Sequence, residues 1–403
     1  MCHPRENGDP GIPASAGMTK EKTMNFKLDD DHQMIYQMAR DFAQKEIAPK
    51  AAELDEKAEF PAANIKKMSE LGFMGMLVPA EYGGAGLDVL SYVLVLEEIS
   101  AACASTAVTM SVNNSLFLGP ILKFGTEEQK KKWLPDFAQG KKLGAYALSE
   151  PGCGSDAAAL VTTATLKGDK YVLNGAKNFI TNGPNADAVI IFATLDKTKK
   201  HKGITAFIVD KNCKGFSVGK VEKKLGIKAS STSSIILDNC EVLASNRLGL
   251  DGEGFKIAMA TLDNGRIGIA TQALGIGKGA FDFARRYSKE REAFGQPISN
   301  FQMIQSKLAD MAMQLDAARL LIWRAAWMRD QGMAVTKEAA MAKLFASEMA
   351  TFVTKEAVQI LGGYGYSREY PVERHFRDAK ITEIYEGTSE IQRLVIAREV
   401  LKE

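Results

Sequence analysis

Apolar residues in the first third of the chain recur every three or four positions, which is the period of one face of an α-helix. The first such stripe follows three acidic residues at 29–31, and negative charge stabilises the first turn of a helix. Another stripe begins at Thr126, which is followed by two glutamates. The pattern predicts an N-terminal helical domain over 24–142, with helices from about 29 and from 126 and over 61–73, 88–101 and 114–122.

The period of the apolar residues falls to two between about 143 and 248, which is typical of β-strands. The runs are short, rich in β-branched residues and separated by Gly, Asn and Asp. No helix-length segment lies between them to carry a parallel crossover, so we expect an antiparallel sheet or barrel. A middle β domain is predicted over 143–254, with strands at 161–166, 171–173, 188–195, 204–209 and 234–237.

The helical period returns after Gly254 and continues to the end of the chain. Ser299 and Gln302 have the spacing of a capping box in front of another apolar stripe. Further helices are predicted over 336–361 and from Glu390. The segment 255–403 is therefore predicted to be a C-terminal helical bundle of the four-helix type, and the fold class is α+β in the order helical, β, helical.

Residues 1–23 contain several Pro and Gly residues and show no periodicity. We interpret them as a disordered leader or as the product of a misassigned start, with Met18 and Met24 as alternative first residues. They lack the apolar core of a secretory signal and the Arg-rich, acid-free composition of a mitochondrial transit peptide. A cytoplasmic location is the resulting expectation.

The composition argues against a nucleic-acid-binding protein, a membrane protein and a metalloprotein. The 403 residues carry 51 Lys and Arg against 49 Asp and Glu, so no overall basic field favours nucleic acid. No apolar run reaches the roughly 18 residues that a membrane helix needs. The five cysteines are odd in number and dispersed, and the four histidines are unpaired, which disfavours disulfides and a metal site and indicates a reducing compartment. Catalysis would therefore use carboxylates or an organic cofactor.

Glycine-containing segments are the main candidates for a site. Residues 148–156 can turn backbone N–H groups toward an anion or a heteroaromatic ring, or can be a simple turn. Residues 359–366 end a helix in consecutive glycines, where capping is the alternative. In 385–390 a lone carboxylate, Glu386, lies beside a glycine and could instead help to cap the next helix. A dinucleotide-type fingerprint at 275–280 lies inside a helical pattern without a preceding strand, so close helix packing explains it better.

Two of these segments resemble the signatures of the acyl-CoA dehydrogenase family. The first signature covers Ala147 to Ala159, and the second runs from Gln359 through Glu369 and from Arg374 to Asp378. The resemblance extends over about residues 25 to 403. The stretch from Glu373 to Arg398 is most similar to short-chain (butyryl-CoA) members, and the family has the same order of helical, β and helical domains.

The resemblance implies that the chain binds FAD and works as a homotetramer, a dimer of dimers, in which a neighbouring subunit helps to hold each FAD. Ser155 is also implied near the pantetheine of the substrate, while Asp263, Arg266, Tyr385 and Gly387 match other positions that contact acyl-CoA. A metal is not implied. The implied FAD-contacting residues are Tyr146, Leu148, Ser149, Gly154, Ser155, Phe179, Ile180, Thr181, Arg291, Phe294, Phe301, Gln302, Gln359, Gly362, Gly363, Thr388 and Glu390.

The implied reaction is α,β-dehydrogenation of a saturated acyl-CoA to the trans-2-enoyl-CoA, with Glu386 as the base and an electron-transferring flavoprotein as the electron acceptor. Some members take their base from the helix position that is Gly265 here, which leaves Glu386. Asp263 and Arg266 could also simply pair at i, i+3 on a helix. Two alternatives remain: an acyl-CoA oxidase that passes electrons to oxygen, and a non-catalytic protein that binds acyl-CoA or flavin.

Overall fold

The described part of the chain is residues 27–402 of a computed structural model, and the leader predicted at 1–23 lies outside the described residues. Within 27–402 a helical region precedes a β-sheet, and a second helical region follows it, which confirms the predicted order. No helix in this part of the chain combines the length and the apolarity needed to span a membrane.

The N-terminal helices begin where side chains accept from free backbone N–H groups. Asp29 accepts from His32 N at 2.9 Å, and Thr126 forms a capping box with Gln129. The helix predicted over 114–122 starts instead as a π-helix, Val112–Leu118, that runs into α6. The α-helices of this region are α1 Asp30–Phe42, α2 Ala51–Lys57, α3 Ala62–Glu70, α4 Val89–Ala102, α5 Ala104–Ser111, α6 Gly119–Phe124 and α7 Glu127–Ala138.

The π-helix joins the helices to the sheet. Asn113 donates through Nδ2 to the carbonyl oxygens of Met74 and Phe137, at 2.8 and 3.0 Å. Its Oδ1 accepts from Gly144 N, at the start of the first strand, at 2.8 Å. The buried amide thus fixes where the first strand enters the sheet.

The middle region is one open, mixed sheet in the order β6-β7-β3-β2-β4-β5-β8, and β1 also pairs with β4. Alternate residues face two separate cores: Ile190 and Phe192 of β4 pack toward the helices, while Val189 and Ile191 pack in a second cluster on the other face. The strands are β1 Gly144–Ala147, β2 Thr163–Lys167, β3 Lys170–Thr181, β4 Ala188–Thr194, β5 Ile204–Asp210, β6 Phe216–Val221, β7 Thr232–Leu243 and β8 Arg247–Leu248.

Most strand pairs are antiparallel, as predicted, but the sheet is not a barrel and two of its pairs are parallel. β1 runs parallel to β4, with Gly144 opposite Ala188, and β2 meets β4 in parallel at Thr163 and Thr194. The crossover from β1 to β4 is carried by a long turn and the β2–β3 hairpin instead of a helix. The pattern also missed β1, β6 and β8.

Five α-helices form the C-terminal region, and α8 packs along both α4 and α10. A small residue permits the first contact: a Cβ on Gly275 would lie 2.5 Å from Cβ of Ser100 on α4. A short hairpin of β9 Glu292–Ala293 and β10 Gln296–Pro297 follows α8. The helices are α8 Gly254–Glu290, α9 Gln302–Asp330, α10 Thr336–Leu361, α11 Val372–Ala379 and α12 Ser389–Val400.

The capping box predicted from Ser299 and Gln302 is wrong. Gln302 is the first residue of α9, Phe301 precedes it as the N-cap, and no side chain caps this helix end. Ser299 lies in a 3₁₀ turn, Ile298–Asn300, where its carbonyl oxygen accepts from Gln305 Nε2 at 3.0 Å. The 3₁₀ turn shifts the helix start beyond the reach of the serine hydroxyl.

Candidate active site

Glu386 lies in a strained turn between the 3₁₀ turn Lys380–Glu383 and α12. Its φ is +52°, a left-handed value that non-glycine residues rarely adopt, and Gly387 follows with φ +95°. Thr388, rather than Glu386, caps α12 by accepting from Ile391 N at 3.4 Å. The carboxylate is therefore not used by the helix end.

Two buried side chains hold this turn. Gln392 of α12 donates through Nε2 to the carbonyl oxygens of Glu386 and Gly387, at 3.2 and 2.9 Å. Lys343 of α10 donates through Nζ to the Gly387 carbonyl oxygen at 2.7 Å. Both side chains are completely buried. They fix the backbone on which the Glu386 side chain is mounted.

The Glu386 carboxyl group is half-buried, and its Oε2 atom is fully buried without a hydrogen-bond partner within residues 27–402. Burial raises its pKa to about 7, while the positive charges of Lys343 and Arg266 act in the opposite direction. Burial also lowers the pKa of Lys343 to about 8. Near neutral pH the site therefore holds a carboxylate that can accept a proton.

The side of the site formed by α8 is open next to Glu386. A Cβ on Gly265 would lie 2.9 Å from Cδ of Glu386, so only glycine leaves room for the carboxylate in this position. Arg266, the next residue, donates to Asp263 Oδ1 at 2.6 Å, which confirms the pairing at i, i+3. The buried Nε of Arg266 has no acceptor in the described part of the chain. Tyr385 donates its hydroxyl to Gln272 Oε1.

Two tyrosines bring the sheet and the N-terminal helices to the same site. The pKa of Tyr146, on β1, is raised by burial and by the negative charge of Glu386, and its buried hydroxyl has no partner among residues 27–402. The Glu386 charge also raises the pKa of Tyr92 on α4, where burial is the larger cause. The Tyr92 hydroxyl lies 2.9 Å from Ser111 Oγ. Tyr92 also lines a cavity of about 230 Å³ that reaches Ile267 on α8.

The turn after β1 is tied to β3 by a buried ion pair. Lys177 donates to Glu150 Oε1 at 2.7 Å and to the Leu148 carbonyl oxygen at 3.2 Å, and the Lys177 side chain is fully buried. Glu150 also accepts from the N–H groups of Val161 and Thr162, at 2.6 and 3.1 Å. The Glu150 carboxylate thereby links the beginning of this turn to its end at residues 161 and 162 and to β3.

The predicted FAD-contacting residues at 146–155 and 179–181 lie together. Asn178 N donates to the Ser149 carbonyl oxygen at 2.9 Å, which joins the turn to β3. A register shift between Lys177 and Ile180 places Phe179 at φ +57°, and 66% of its surface is exposed. An exposed aromatic ring thus lies beside an exposed turn that contains Gly154 and Ser155.

The other predicted FAD contacts form a second, separate group. Arg291 ends α8, 26 residues after Gly265, which is about 39 Å along the helix axis. Its guanidinium lies over the ring of Tyr364 at 5.5 Å, and Phe294, 95% exposed, packs edge-on against Phe301 at 6.0 Å. Four further members of this group are exposed: Gln302, Gln359, Gly362 and Gly363. Thr388 and Glu390 lie instead near Glu386, at the start of α12.

Sequence reasoning missed Tyr92, Gln272, Lys343 and Gln392, which belong to no local motif. Lys343 alone carried a signal, because it lies on the apolar face of α10 between Ala339 and Ala346. A lysine on such a face is unusual and indicates a buried partner.

Three family models match the chain: "Acyl-CoA dehydrogenase, N-terminal domain" over 29–141, "middle domain" over 145–240 and "C-terminal domain" over 252–401. A mitochondrial short-chain specific acyl-CoA dehydrogenase of Bos taurus is 58% identical over 394 residues, which is 97% of this chain and 96% of the relative.

Two solved structures share the fold over 94% of this chain and 100% of theirs. Butyryl-CoA dehydrogenase from Megasphaera elsdenii is 49% identical, with a TM-score of 0.92. A chain from a structure described as the electron transferring flavoprotein of Acidaminococcus fermentans is 52% identical, with a TM-score of 0.93.

Proposed function

The chain belongs to the acyl-CoA dehydrogenase family, whose enzymes use FAD, and on that premise we propose that Glu386 is its catalytic base. The observation that carries the proposal is the buried, unpartnered Oε2 atom of Glu386, which faces the space that Gly265 leaves open. An unpaired buried carboxylate oxygen costs free energy, and such a cost persists where the group has a function.

In the proposed reaction Glu386 takes a proton from Cα of the acyl group while a hydride leaves Cβ. FAD supplies the acceptor for that hydride. The α-proton is only weakly acidic, so negative charge developing on the thioester oxygen needs a hydrogen-bond donor. The backbone N–H of Glu386 donates to no protein acceptor within residues 27–402, and it is the donor that the family resemblance implies. Base and donor would thus come from one residue.

The residues around β1 and β3 fit a large, flat cofactor. The exposed ring of Phe179 offers an apolar face, and the buried Tyr146 hydroxyl has no protein partner in the described chain. A Cβ on Gly154 would meet nothing within 4 Å, so the turn leaves its backbone accessible. A site that combines apolar surface with a few unsatisfied polar groups is typical of cofactor pockets.

The group around Arg291 would contact the FAD of a neighbouring subunit, and this supports a dimer as the smallest complete unit and a dimer of dimers as the assembly. Arg291 lies about 39 Å along α8 from Gly265, which borders Glu386, so the group around Arg291 is remote from the candidate active site of its own subunit. An exposed Phe294 also suits an interface better than solvent.

We assign a short-chain acyl-CoA as the substrate and an electron-transferring flavoprotein as the electron acceptor. The names of the relatives support the first, and the Acidaminococcus structure supports the second. Within the site, Arg266 and Asp263 are the charged pair next to Glu386, and Ser155 is exposed in the turn after β1. Arg266 and Ser155 can donate hydrogen bonds and Asp263 can accept them, and the CoA moiety needs such local partners, since the whole chain has a formal charge of only +2.

The test is Glu386→Gln, which keeps the shape of the side chain and removes its basicity. FAD content and the fold should be retained, while anaerobic bleaching of the flavin by butyryl-CoA should slow by a factor of about 10²–10⁴. Glu383→Gln, in the preceding 3₁₀ turn, is the matched control and should bleach at the wild-type rate. Bleaching of Glu386→Gln at near wild-type rate would show that another group is the base.

A further inference from the structure

Cys213 and Cys240 bring two thiols together in the middle region, away from the residues of the candidate active site. Cys213 lies in the turn that follows β5 and is half-exposed, whereas Cys240 lies in β7 and is completely buried. Each thiol is the largest cause of the shift in the pKa of the other. Cys213 also packs against the apolar cluster that contains Cys240.

The backbone holds this pair in register on both sides. Glu241 N donates to the Lys214 carbonyl oxygen at 3.2 Å, and Asp238 N donates to the Gly215 carbonyl oxygen at 2.9 Å. Gly215 has φ +85°, and a Cβ there would lie 2.9 Å from Cα of Cys240. The turn after β5 therefore crosses β7 in contact with it, and Cys213 is directed to Cys240 without a covalent bond.

The two thiols differ in reactivity. The hydrogen bond from the Cys240 thiol lowers the pKa of Cys213 to about 7, and burial acts in the opposite direction. The backbone hydrogen bond at Asp210 lowers this pKa and the Asp210 charge raises it, while the positive charge of Lys132 adds a small lowering effect. The hydrogen bond between the two thiols and burial raise the pKa of Cys240. The accessible sulfur thus carries the thiolate, and the buried one keeps its proton. Thiolate character and access together determine which cysteine reacts with peroxides.

We propose that Cys213 and Cys240 form a peroxide-reactive dithiol that closes to an intramolecular disulfide. The Cys213 thiolate attacks one oxygen of hydrogen peroxide, the O–O bond breaks, and the departing hydroxide takes a proton to become water. Cys213 is then a sulfenic acid. The Cys240 sulfur loses its proton and displaces the hydroxyl group from Cys213 as a second water. Two thiols are oxidised by two electrons, and one peroxide is reduced to two waters.

The other described cysteines serve as internal references. Cys103 is 4% exposed, and Cys153 is also 4% exposed and donates through Sγ to the Asp156 carbonyl oxygen. Burial raises the pKa of Cys153, so its thiolate is scarce. Both are free thiols. The disulfide is therefore expected at one place in the described chain.

The experiment uses the reduced full-length holoenzyme, hydrogen peroxide in small excess, alkylation of the remaining thiols after unfolding, and peptide mass spectrometry. A peptide pair linked through Cys213 and Cys240 should appear, and dithiothreitol should reverse it, while Cys103 and Cys153 stay alkylated. Full alkylation of both Cys213 and Cys240 after peroxide would overturn the proposal, and so would linkage between chains.

Two variants separate the steps. Cys240→Ser should accumulate a sulfenic acid on Cys213 that dimedone traps, because the second thiol is missing. Cys213→Ser should leave Cys240 unoxidised under the same conditions. Oxidation of Cys240 in the Cys213→Ser variant at the wild-type rate would contradict the proposed order. Bleaching of the flavin by butyryl-CoA should be unchanged in Cys213→Ser, so this inference is tested independently of the role of Glu386.

Discussion

Gly265 and Glu386 lie so close together that no methyl group fits between them. A Cβ on Gly265 would lie 2.9 Å from Cδ of Glu386 and would overlap its Oε2 atom. The glycine on α8 and the carboxylate in the turn before α12 are thus one structural unit, although 121 positions separate them in the chain.

Gly265→Ala should therefore displace the carboxylate and slow bleaching of the flavin by butyryl-CoA by a factor of about 100, the effect typical of a misplacement of about 1 Å. Gly277→Ala, on the same helix, is the control: its Cβ would meet only flexible side-chain atoms of Met349 and Leu315, at 3.1 and 3.3 Å. Stopped-flow absorbance measures both rates. A Gly265→Ala rate within twofold of wild type would show that the carboxylate moves aside without loss.

The pH dependence of flavin reduction should have an acidic limb near 7. Glu386 accepts a proton only when ionised, and burial raises its pKa to about 7, so the rate falls as the pH falls below this value. The profile is measured as single-turnover bleaching between pH 5.5 and 8.5. A rate that stays constant from pH 5.5 to 7.5 would contradict the assignment.

The raised pKa of Glu386 also makes stability depend on pH, but stability falls as the pH rises, whereas the rate of flavin reduction falls as the pH falls. The folded protein holds this proton at pH values where the unfolded chain has lost it, so the stabilisation is fully present below about 4.5 and is lost as the pH rises through about 7. The melting temperature of Glu386→Gln should therefore exceed that of the wild type at pH 8 and match it at pH 4.5. Calorimetry at the two pH values tests this difference.

Lys343→Met should move the acidic limb to higher pH, because the positive charge of Lys343 lowers the pKa of Glu386. The variant also leaves the Gly387 carbonyl oxygen without its 2.7 Å donor, at a stability cost of about 1–3 kcal/mol. Lys355→Met, an exposed position on α10, is the control. A lower rate with an unmoved pH profile would mean that Lys343 only supports the turn.

Tyr92→Ala should widen the range of accepted acyl chains. Tyr92 is near enough to Glu386 for the carboxylate charge to raise its pKa, and it also lines the cavity of about 230 Å³. We expect that removing the Tyr92 side chain connects this cavity to the site. The ratio of kcat/KM for octanoyl-CoA over butyryl-CoA should rise at least about tenfold, given about 1–3 kcal/mol for each accommodated methylene. Tyr92→Phe keeps the ring, loses the hydroxyl contact with Ser111 and should retain the wild-type preference. An unchanged ratio in Tyr92→Ala would place the acyl chain elsewhere.

Lys177→Met should destabilise the protein by about 3–5 kcal/mol, because it leaves the Glu150 carboxylate buried without its partner. Lys170→Met, on the same strand, removes an exposed pair with Glu241 and should cost less than about 1 kcal/mol. Urea unfolding of both variants gives the comparison. Equal losses would mean that Lys177 is not needed to neutralise Glu150.

FAD retention after dilution should fall in Lys177→Met and not in Lys170→Met, since the turn after β1 depends on the pair of Lys177 and Glu150.

Sequence patterns predicted the features that depend on short spacings. Asp29 and Thr126 cap helices because their side chains reach N–H groups three residues away. Ser299 has the same type of spacing, but a 3₁₀ turn moves the helix start, and a local pattern does not contain that information. β1 was invisible for a different reason: all four of its residues are buried, so it shows no alternation.

At Glu386, too, the sequence predicted what depends on neighbouring residues and missed what depends on residues distant in the chain. Its segment could be identified by resemblance because the residues are contiguous, whereas Tyr92, Gln272 and Lys343 come from three helices that meet only in the folded chain. The positive φ of Glu386 has no signature in the residue type. The sequence could thus predict Glu386 as a candidate base but not the charges and contacts that set its pKa.

The parallel pairing of β1 with β4 has a consequence for synthesis. Gly144 finds its partner at Ala188, 44 residues later, after the β2–β3 hairpin has emerged from the ribosome. Until then both apolar faces of β1, including Tyr146, are exposed on the nascent chain. Non-local pairing of this kind is slow and open to aggregation. Chaperone binding to the nascent chain should therefore be strongest between the appearance of β1 and the completion of β4.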